Sequence, residues 1–377
     1  MASKPGRLLL VDNDLYDIDT GALIFKHWLK EEMPQRLFYD AAAKKFLAQY
    51  ERGFVRYALN GTAEATLVQK SKPAFADDLK WVVYAKNRDI WRADVDWKEF
   101  KFVNERKVTA VEQFNDQYFA DNIVVGTDKT LLVHNINKVL HLNLETWEVK
   151  PMQISLQEIS KRKSPDSKAV VGLENGKFYY YDVDANEPQY FPVGRGVIND
   201  YQWLGNGKCL GIAAMKTVIQ YDRAKHTLTE LAALPTPCNR MGEPSPDGRF
   251  VFCASMVNGK AALLDVEKKT ATPVTAGAGV CWVSNDTFAY SRELPESDLR
   301  GTWLQTVGEG ERRVSPEPYL VSKKGAELMA VKCAGLVVFS TKHGLSKMKP
   351  DGTGVAQLCV LPHPPSRVES VEDWKGD

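Results

Sequence analysis

No stretch of this chain approaches the roughly 18 consecutive apolar residues that a membrane-crossing helix needs. The opening MASKPGRLLLVDND has two basic residues, but its apolar run, Leu8–Val11, stops at Asp12. That is too short for the apolar core of a secretory leader, although a leader already removed would leave the same signature. Cysteine is sparse: Cys209, Cys238, Cys253, Cys281, Cys333 and Cys359 contain no CxxC pair. This excludes the usual zinc-ribbon and dithiol spacings and fits a reducing, cytoplasmic compartment. The histidines, His27, His134, His141, His226, His343 and His363, form no H-E-x-x-H or H-x-H set, so no metal site is expected. There is no G-x-S-x-G elbow either, and no catalytic residues and no cofactor are assigned. Net charge is almost absent as well. At +1, bulk electrostatics predicts affinity for neither nucleic acid nor a membrane surface.

What is present is an ordinary globular composition, 44% apolar and 26% charged over 377 residues, carrying a repeat. A short apolar run returns at intervals of about 42 residues. It reads LLLV at Leu8–Val11, FLAQ at Phe46–Gln49, WVVY at Trp81–Tyr84, IVVG at Ile123–Gly126 and AVVG at Ala169–Gly172. It continues as CLGI at Cys209–Ile212, FVFC at Phe250–Cys253, TFAY at Thr287–Tyr290 and LVVF at Leu336–Phe339. Runs this short, rich in β-branched and aromatic residues, predict strands buried on both faces. Cys209, Cys253 and Cys281 lie in or beside such runs and read as small core residues.

After each run comes a second segment that alternates in polarity and ends in a polar turn. Examples are Leu15–Gly21, Ile90–Trp97, Val139–Thr146, Phe178–Glu187, Val218–His226, Ala261–Lys269 and Leu345–Gly354, with weaker copies at Phe54–Thr62 and Thr302–Arg312. Asp, Asn and Gly stand where a hairpin must reverse. A different turn precedes several apolar runs: SPDSK at Ser164–Lys168, LGNGK at Leu204–Lys208 and SPDGR at Ser245–Arg249. Each unit therefore reads as strand a, an SPDG-type turn, buried strand b, a loop, strand c, an acidic turn and strand d.

With this unit the chain resembles the WD40-like and TolB-like β-propeller superfamily, in which an SPDG-type turn between strands a and b recurs. The resemblance spans nearly the whole sequence and concerns architecture. The Gly-His and Trp-Asp dipeptides of WD40 repeats are absent. The expectation is an all-β, single closed β-propeller domain over residues 1–377, with eight or nine four-stranded blades and nine favoured by both markers. Ring closure is expected from the chain ends. Arg7–Val11 reads as a b strand with no a strand before it, and Arg367–Asp377 as an a strand completing the blade begun at 7–28. The interval from Val111 to Leu142 holds extra strand-like material and leaves the count open by one.

Several fragments imitate known sites. Asp12-Asn13-Asp14 with Asp17 and Asp19 looks like a calcium loop, but the fifth, sixth and twelfth positions hold Tyr16, Asp17 and Leu23. Two successive hairpin turns are expected instead. Gly205, Gly207 and Gly211 imitate a phosphate loop, yet they occupy the SPDG position and no helix follows. Tyr179, Tyr180 and Tyr181 alternate faces on one strand and read as packing residues.

In propellers the b–c and d–a loops share one face and the a–b and c–d turns share the other. Sorting charge by the expected strands gives about +7 on the first face and about −8 on the second. The basic set includes Lys70, Lys72, Lys86, Arg88, Arg106, Lys107, Arg195, Arg240, Arg292, Arg300, Lys323, Lys324 and Arg367. The acidic set gathers Asp19, Asp77, Asp78, Asp94, Asp96, Glu145, Asp182, Asp184, Asp247 and Asp265. Long loops are expected on the basic face at Gly126–Asn137, Ser291–Gly301, Ser315–Gly325 and Leu361–Arg367. The function expected is non-enzymatic binding or scaffolding, with Arg88, Arg195, Arg240, Arg292 and Arg300 as anchors for carboxylate or phosphate groups. The expected partner is a protein, with an anionic ligand as the other candidate, and the chain a monomer or a subunit of a complex. A propeller hydrolase or lactonase with its site at the channel mouth is the alternative.

Overall fold

The computed structural model describes residues 7–26, 34–110, 123–152, 164–293 and 299–374, with short breaks inside the last four ranges. Every regular element among the described residues is a β-strand, and these strands form nine sheets, most of them four-stranded antiparallel meanders. No helix of the described residues is long and apolar enough to cross a membrane. The chain divides into two compact units, one of Met1–Met33, Leu37–Ala41 and Leu204–Asp373, the other of Pro34–Arg36, Ala42–Trp203 and Trp374–Asp377.

The buried runs are strands, as their composition requires. In Leu8–Val11 no residue is more than 2% exposed, and Val82, Val83 and Tyr84 are fully buried. Each pairs with the alternating segment that follows it, in register: Leu9 with Tyr16, Cys209 with Tyr221, Val251 with Leu264, Val338 with Lys347. One assignment is corrected. Ile123–Val125 is the first strand of its sheet, and the second is Thr130–Asn135, so Gly126–Asn137 is not a long loop. The segment TLLVHN lacks the SPDG turn that marks several of its counterparts, and the adjacent IVVG carries the stronger apolar pattern. Ser315–Gly325 likewise contains a short strand, Tyr319–Leu320, paired with Leu299 and Arg300.

Two kinds of turn are built from side chains. In SPDS and SPDG the buried serine donates to the aspartate two residues on, and its Oγ accepts from the first amide of strand b. Ser164 Oγ lies 2.6 Å from Asp166 Oδ1 and 2.9 Å from the Ala169 amide; Ser245 repeats both distances with Asp247 and Phe250. Ser284, Asp286 and Thr287 form the same arrangement without proline or glycine. At the c–d end the last polar residue of strand c accepts from backbone amides two or three residues on. Asp17, Asp96, Asn143, Asp182, Asp222 and Asp265 all do this at 2.9–3.2 Å. The calcium-like fragment is thus two turns: Asp12-Asn13 joins Leu8–Val11 to Asp14–Asp17, and Asp17 caps the next reversal.

In the first unit, successive sheets share apolar clusters. Leu210, Ile212 and Val218 pack with Val251, Cys253 and Leu264. Phe250, Phe252 and Leu263 meet Trp282, Phe288 and Tyr290, and Ala289 and Leu304 meet Val337 and Phe339. The last cluster joins Val338, Leu345 and Leu358 to Leu9, Val11, Tyr16 and Ile18, the N-terminal strands. Gly21 sits there at φ +69°, and a Cβ on it would lie 1.7 Å from the Leu358 carbonyl oxygen, so only glycine fits. The C-terminal segment also reaches this sheet. Val368–Ser370 runs antiparallel to Leu9–Val11, after which Glu372–Asp373 pairs in parallel with Phe38 and Tyr39. In the second unit Phe54 meets Phe75 and Trp97 edge-on at 4.9 and 5.0 Å.

Cations reinforce the contact between successive sheets. Lys347 Nζ donates to the carbonyls of Ile18 and Asp19 at 2.9 and 2.7 Å. Arg56 Nη1 does the same to Lys98 at 3.3 Å, and Arg312 Nη2 to Asp351 at 2.8 Å. Arg56 and Lys347 occupy equivalent places, each the third residue after a glycine that opens strand c at φ +142° or +132°.

Two stability outcomes follow from the turns. Removing the buried hydroxyl in Ser245→Ala strands the Phe250 amide and should cost about 1–3 kcal/mol in urea unfolding; a change within error would show the turn to be dispensable. For Asp265, burial alone would raise the pKa, but the Lys268 amide and the Arg249 guanidinium hold the carboxyl below its ordinary value. A lowered folded pKa contributes stability above the unfolded value, about 4, and loses it as pH falls through the folded value. The stability difference between the native chain and Asp265→Asn should therefore shrink as pH is lowered below about 4. A difference that grows there would reverse the assignment.

Candidate functional site

The loops and turns carry the polar chemistry, and the two ends of the sheets use it differently. At the a–b and c–d end, acids serve the backbone. Besides the capping aspartates, Asp265 binds Arg249 at 3.1 Å, Asp94 accepts from Asn104 at 2.9 Å, and Asp19 pairs with Arg7. The negative side of the expected charge asymmetry is thus largely turn chemistry among the described residues. Asp77, Asp78, Glu145 and Asp184 lie outside them.

At the opposite end, part of the basic set is already neutralised. Lys86 binds Glu105 at 3.0 Å, and Lys107 binds Asp89 at 2.8 Å. The Lys86–Glu105 pair, with the Tyr84 hydroxyl, holds the Glu105 carboxyl below its ordinary pKa despite partial burial. Of the five anchors expected from sequence, Arg88 and Arg195 lie outside the described residues. Arg292 and Arg300 fall on one hairpin, where Arg292 pairs with Gly301 and Glu293 with Arg300. Arg240 opens the strand Arg240–Pro244, is exposed, and its side chain has no ion-pair partner among the described residues.

Around Arg240 the loop end is rigidly tied. The turn Ala214-Met215 has positive φ at both residues, 47° and 62°, a cost that residues with a Cβ ordinarily avoid. Its carbonyls are held: the Cys238 amide donates to Met215 at 2.9 Å and the Leu234 amide to Lys216 at 2.7 Å. Cys238 is fully buried in this knot, its Sγ donating to the Thr236 carbonyl at 3.4 Å, and burial raises its thiol pKa. It is a packing residue there.

A cleft of about 180 Å³ opens at the same end of the N-terminal sheet. Val11, Asp12, Asn13, Asp14 and Tyr16 form one wall, and Leu361 and Pro362 form the other. Asp12 turns the chain at φ +50°. The Asn13 Oδ1 atom is buried and has no hydrogen-bond partner among the described residues. Burial, reinforced by the charges of Asp14, Cys359 and Asp12, pushes the Tyr16 hydroxyl up to about 12, so it stays a neutral phenol. None of the described lining residues is cationic. The second wall comes from near the opposite terminus, so no local pattern in the sequence announces the cleft.

Neither a family model nor a curated protein matches the chain. Solved structures do. A structure of the eukaryotic initiation factor matches with a TM-score of 0.53 and 12% identity, over 83% of this chain and 87% of that one. Dipeptidyl peptidase 4 of Porphyromonas gingivalis matches with a TM-score of 0.51 and 9% identity, over 89% of this chain and 60% of that one. The β-propeller domain of Myceliophteria thermophila Cps50 (Swd1) is matched at a TM-score of 0.38 and 10% identity, over 69% of this chain and 94% of that one. Such identities speak to fold and carry no function. The repeated four-stranded meanders, together with the two matches above a TM-score of 0.5, show a β-propeller fold.

Proposed function

We propose that residues 1–377 form one closed nine-bladed β-propeller that binds a partner protein without catalysis. The pairing of Val368–Ser370 with Leu9–Val11 supports the closure, because it gives the first sheet a strand from each end of the chain. In this reading 367–377 closes the blade begun at 7–28.

The binding surface is the end carrying the b–c and d–a loops. The observation that carries this is Arg240: exposed, unpaired among the described residues, and set on a strand beside a turn clamped by backbone hydrogen bonds. A rigid scaffold presenting a free guanidinium is suited to a carboxylate or phosphate of a partner. Arg88, Arg195, Arg292 and Arg300 are proposed as further anchors of the same kind. The acids at the other end are committed to turns and offer less to a ligand.

The test is recovery of a partner from cell extract on the immobilised chain. Charge reversal of Arg195 and Arg240 should abolish recovery, whereas reversal of Lys168 and Lys268, exposed on turns of the other end, should leave it intact. Equal recovery with both pairs would overturn the reading.

A further inference from the structure

Asn-Gly occurs in the chain at Asn60-Gly61, Asn175-Gly176, Asn206-Gly207 and Asn258-Gly259, the last of them outside the described residues. A glycine after asparagine leaves its backbone nitrogen unshielded by any Cβ, so the asparagine carboxamide can be attacked from within the chain. Two groups decide whether it is. The glycine amide must be free to lose its proton, and the carboxamide must be free to swing toward it.

The three described pairs differ in both respects. The Asn60 Oδ1 atom accepts from the Thr62 amide at 3.0 Å, and the Gly61 amide donates to the Ala58 carbonyl at 3.0 Å. The Asn206 Oδ1 atom accepts from the Lys208 amide at 3.2 Å, and the Gly207 amide donates to the Leu204 carbonyl at 3.3 Å. Both pairs are held at nucleophile and electrophile alike. Asn175 and Gly176 instead form the two-residue loop between Ala169–Glu174 and Lys177–Asp182, at φ 49° and 73°. This geometry leaves the bonding of the turn to its flanking pair, Glu174 and Lys177. Among the described residues, neither the Asn175 side chain nor the Gly176 amide makes a hydrogen bond. Both residues are exposed, and a Cβ built on Gly176 meets nothing within 4 Å. The Glu174 carboxylate is engaged elsewhere, accepting from the Tyr190 hydroxyl at 2.6 Å.

We propose that Asn175 is a site of spontaneous modification, converted through a succinimide to aspartate and isoaspartate, while Asn60 and Asn206 are protected. The Gly176 nitrogen gives its proton to solvent and bonds to Cγ of Asn175, and the Cγ–Nδ2 bond breaks to release ammonia. Water then adds to one of the two ring carbonyls and breaks its bond to nitrogen. Water is the only co-reactant. Ring closure takes Asn175 out of its left-handed conformation, so the Glu174–Lys177 pair must open first. Opening at a hairpin tip is among the least costly local motions. The next pair, Leu173 with the buried Phe178, keeps the rest of the hairpin closed. The loop joins strand b to strand c, so the product sets a new carboxylate beside Glu174 at the end proposed for docking. A weakened hold on an anionic partner as the molecule ages rests on that docking reading; the chemistry at Asn175 does not.

The experiment incubates the full chain at mildly alkaline pH in heavy-oxygen water, then digests it and resolves the three Asn-Gly peptides by mass spectrometry. Asn175 should convert, with heavy oxygen incorporated and both aspartate and isoaspartate formed. Asn60 and Asn206 should lag by roughly tenfold or more, because each must first break retained hydrogen bonds. A parallel sample unfolded in urea should convert all three at similar rates. No conversion at Asn175 in the folded chain would overturn the inference, as would folded Asn60 or Asn206 keeping pace with it. The same ranking in urea would also overturn it, since the ranking would then owe nothing to the fold. The rates are read on the chain alone, so their failure is distinct from a failure of the docking surface.

Discussion

The strand Leu8–Val11 is buried on both faces and pairs along one edge with Asp14–Asp17, and the arrangement of the first unit turns on what pairs along the other. An unpaired edge in the middle of a core would leave a row of buried N–H and C=O groups, each costing as much as a lost hydrogen bond. Val368–Ser370 satisfies that edge, and Val371 adds a further bond to the Leu8 carbonyl at 3.0 Å. The ladder and the packing agree on one register, since a slip of one residue would turn Leu9 and Val11 away from the cluster they share with Val338 and Leu345. Lys347 then fastens the same junction through the carbonyls of Ile18 and Asp19.

The second organising element is economy in the turns. An aspartate or asparagine at the end of strand c, or a serine–aspartate pair before strand b, supplies the acceptors that a tight reversal leaves wanting. Because these residues recur at the same place in successive sheets, acidic groups accumulate at one end of the meanders without any functional demand. The other end is free of that demand. Its turns are tied by backbone bonds, as at Ala214-Met215, where the Cys238 amide donates to the Met215 carbonyl. The proposed surface uses that freedom at Arg240, whose guanidinium is exposed and has no ion-pair partner among the described residues.

Much of the fold was legible because burial on both faces leaves so clear a mark. LLLV, WVVY and FVFC can be little else, and the alternating partners followed each at once. The SPDG turns were legible as chemistry, and Ser284 shows why the signal fades: its hydroxyl does the same work in a segment lacking proline and glycine. The same fading hides Thr130–Asn135, because its neighbour IVVG carries the stronger pattern. The site was far less legible. Arg240 could be named from sequence, but its freedom depends on which acids stand nearby, and Lys86 and Lys107 looked equivalent until their pairing with Glu105 and Asp89 was seen. The cleft depends on two segments from opposite termini, and the inter-sheet roles of Arg56 and Lys347 depend on where the next sheet places its turn.

Val368–Ser370 shares a sheet with Leu8–Val11. If that pairing holds the first unit together, amide hydrogen exchange on the full chain and on a version ending at residue 366 will show truncation removing protection from the amides of Leu8–Val11, and then from Asp14–Asp17 and Leu336–Thr341, the strands packed on them. Protection of Leu8–Val11 that is unchanged by the truncation would contradict it.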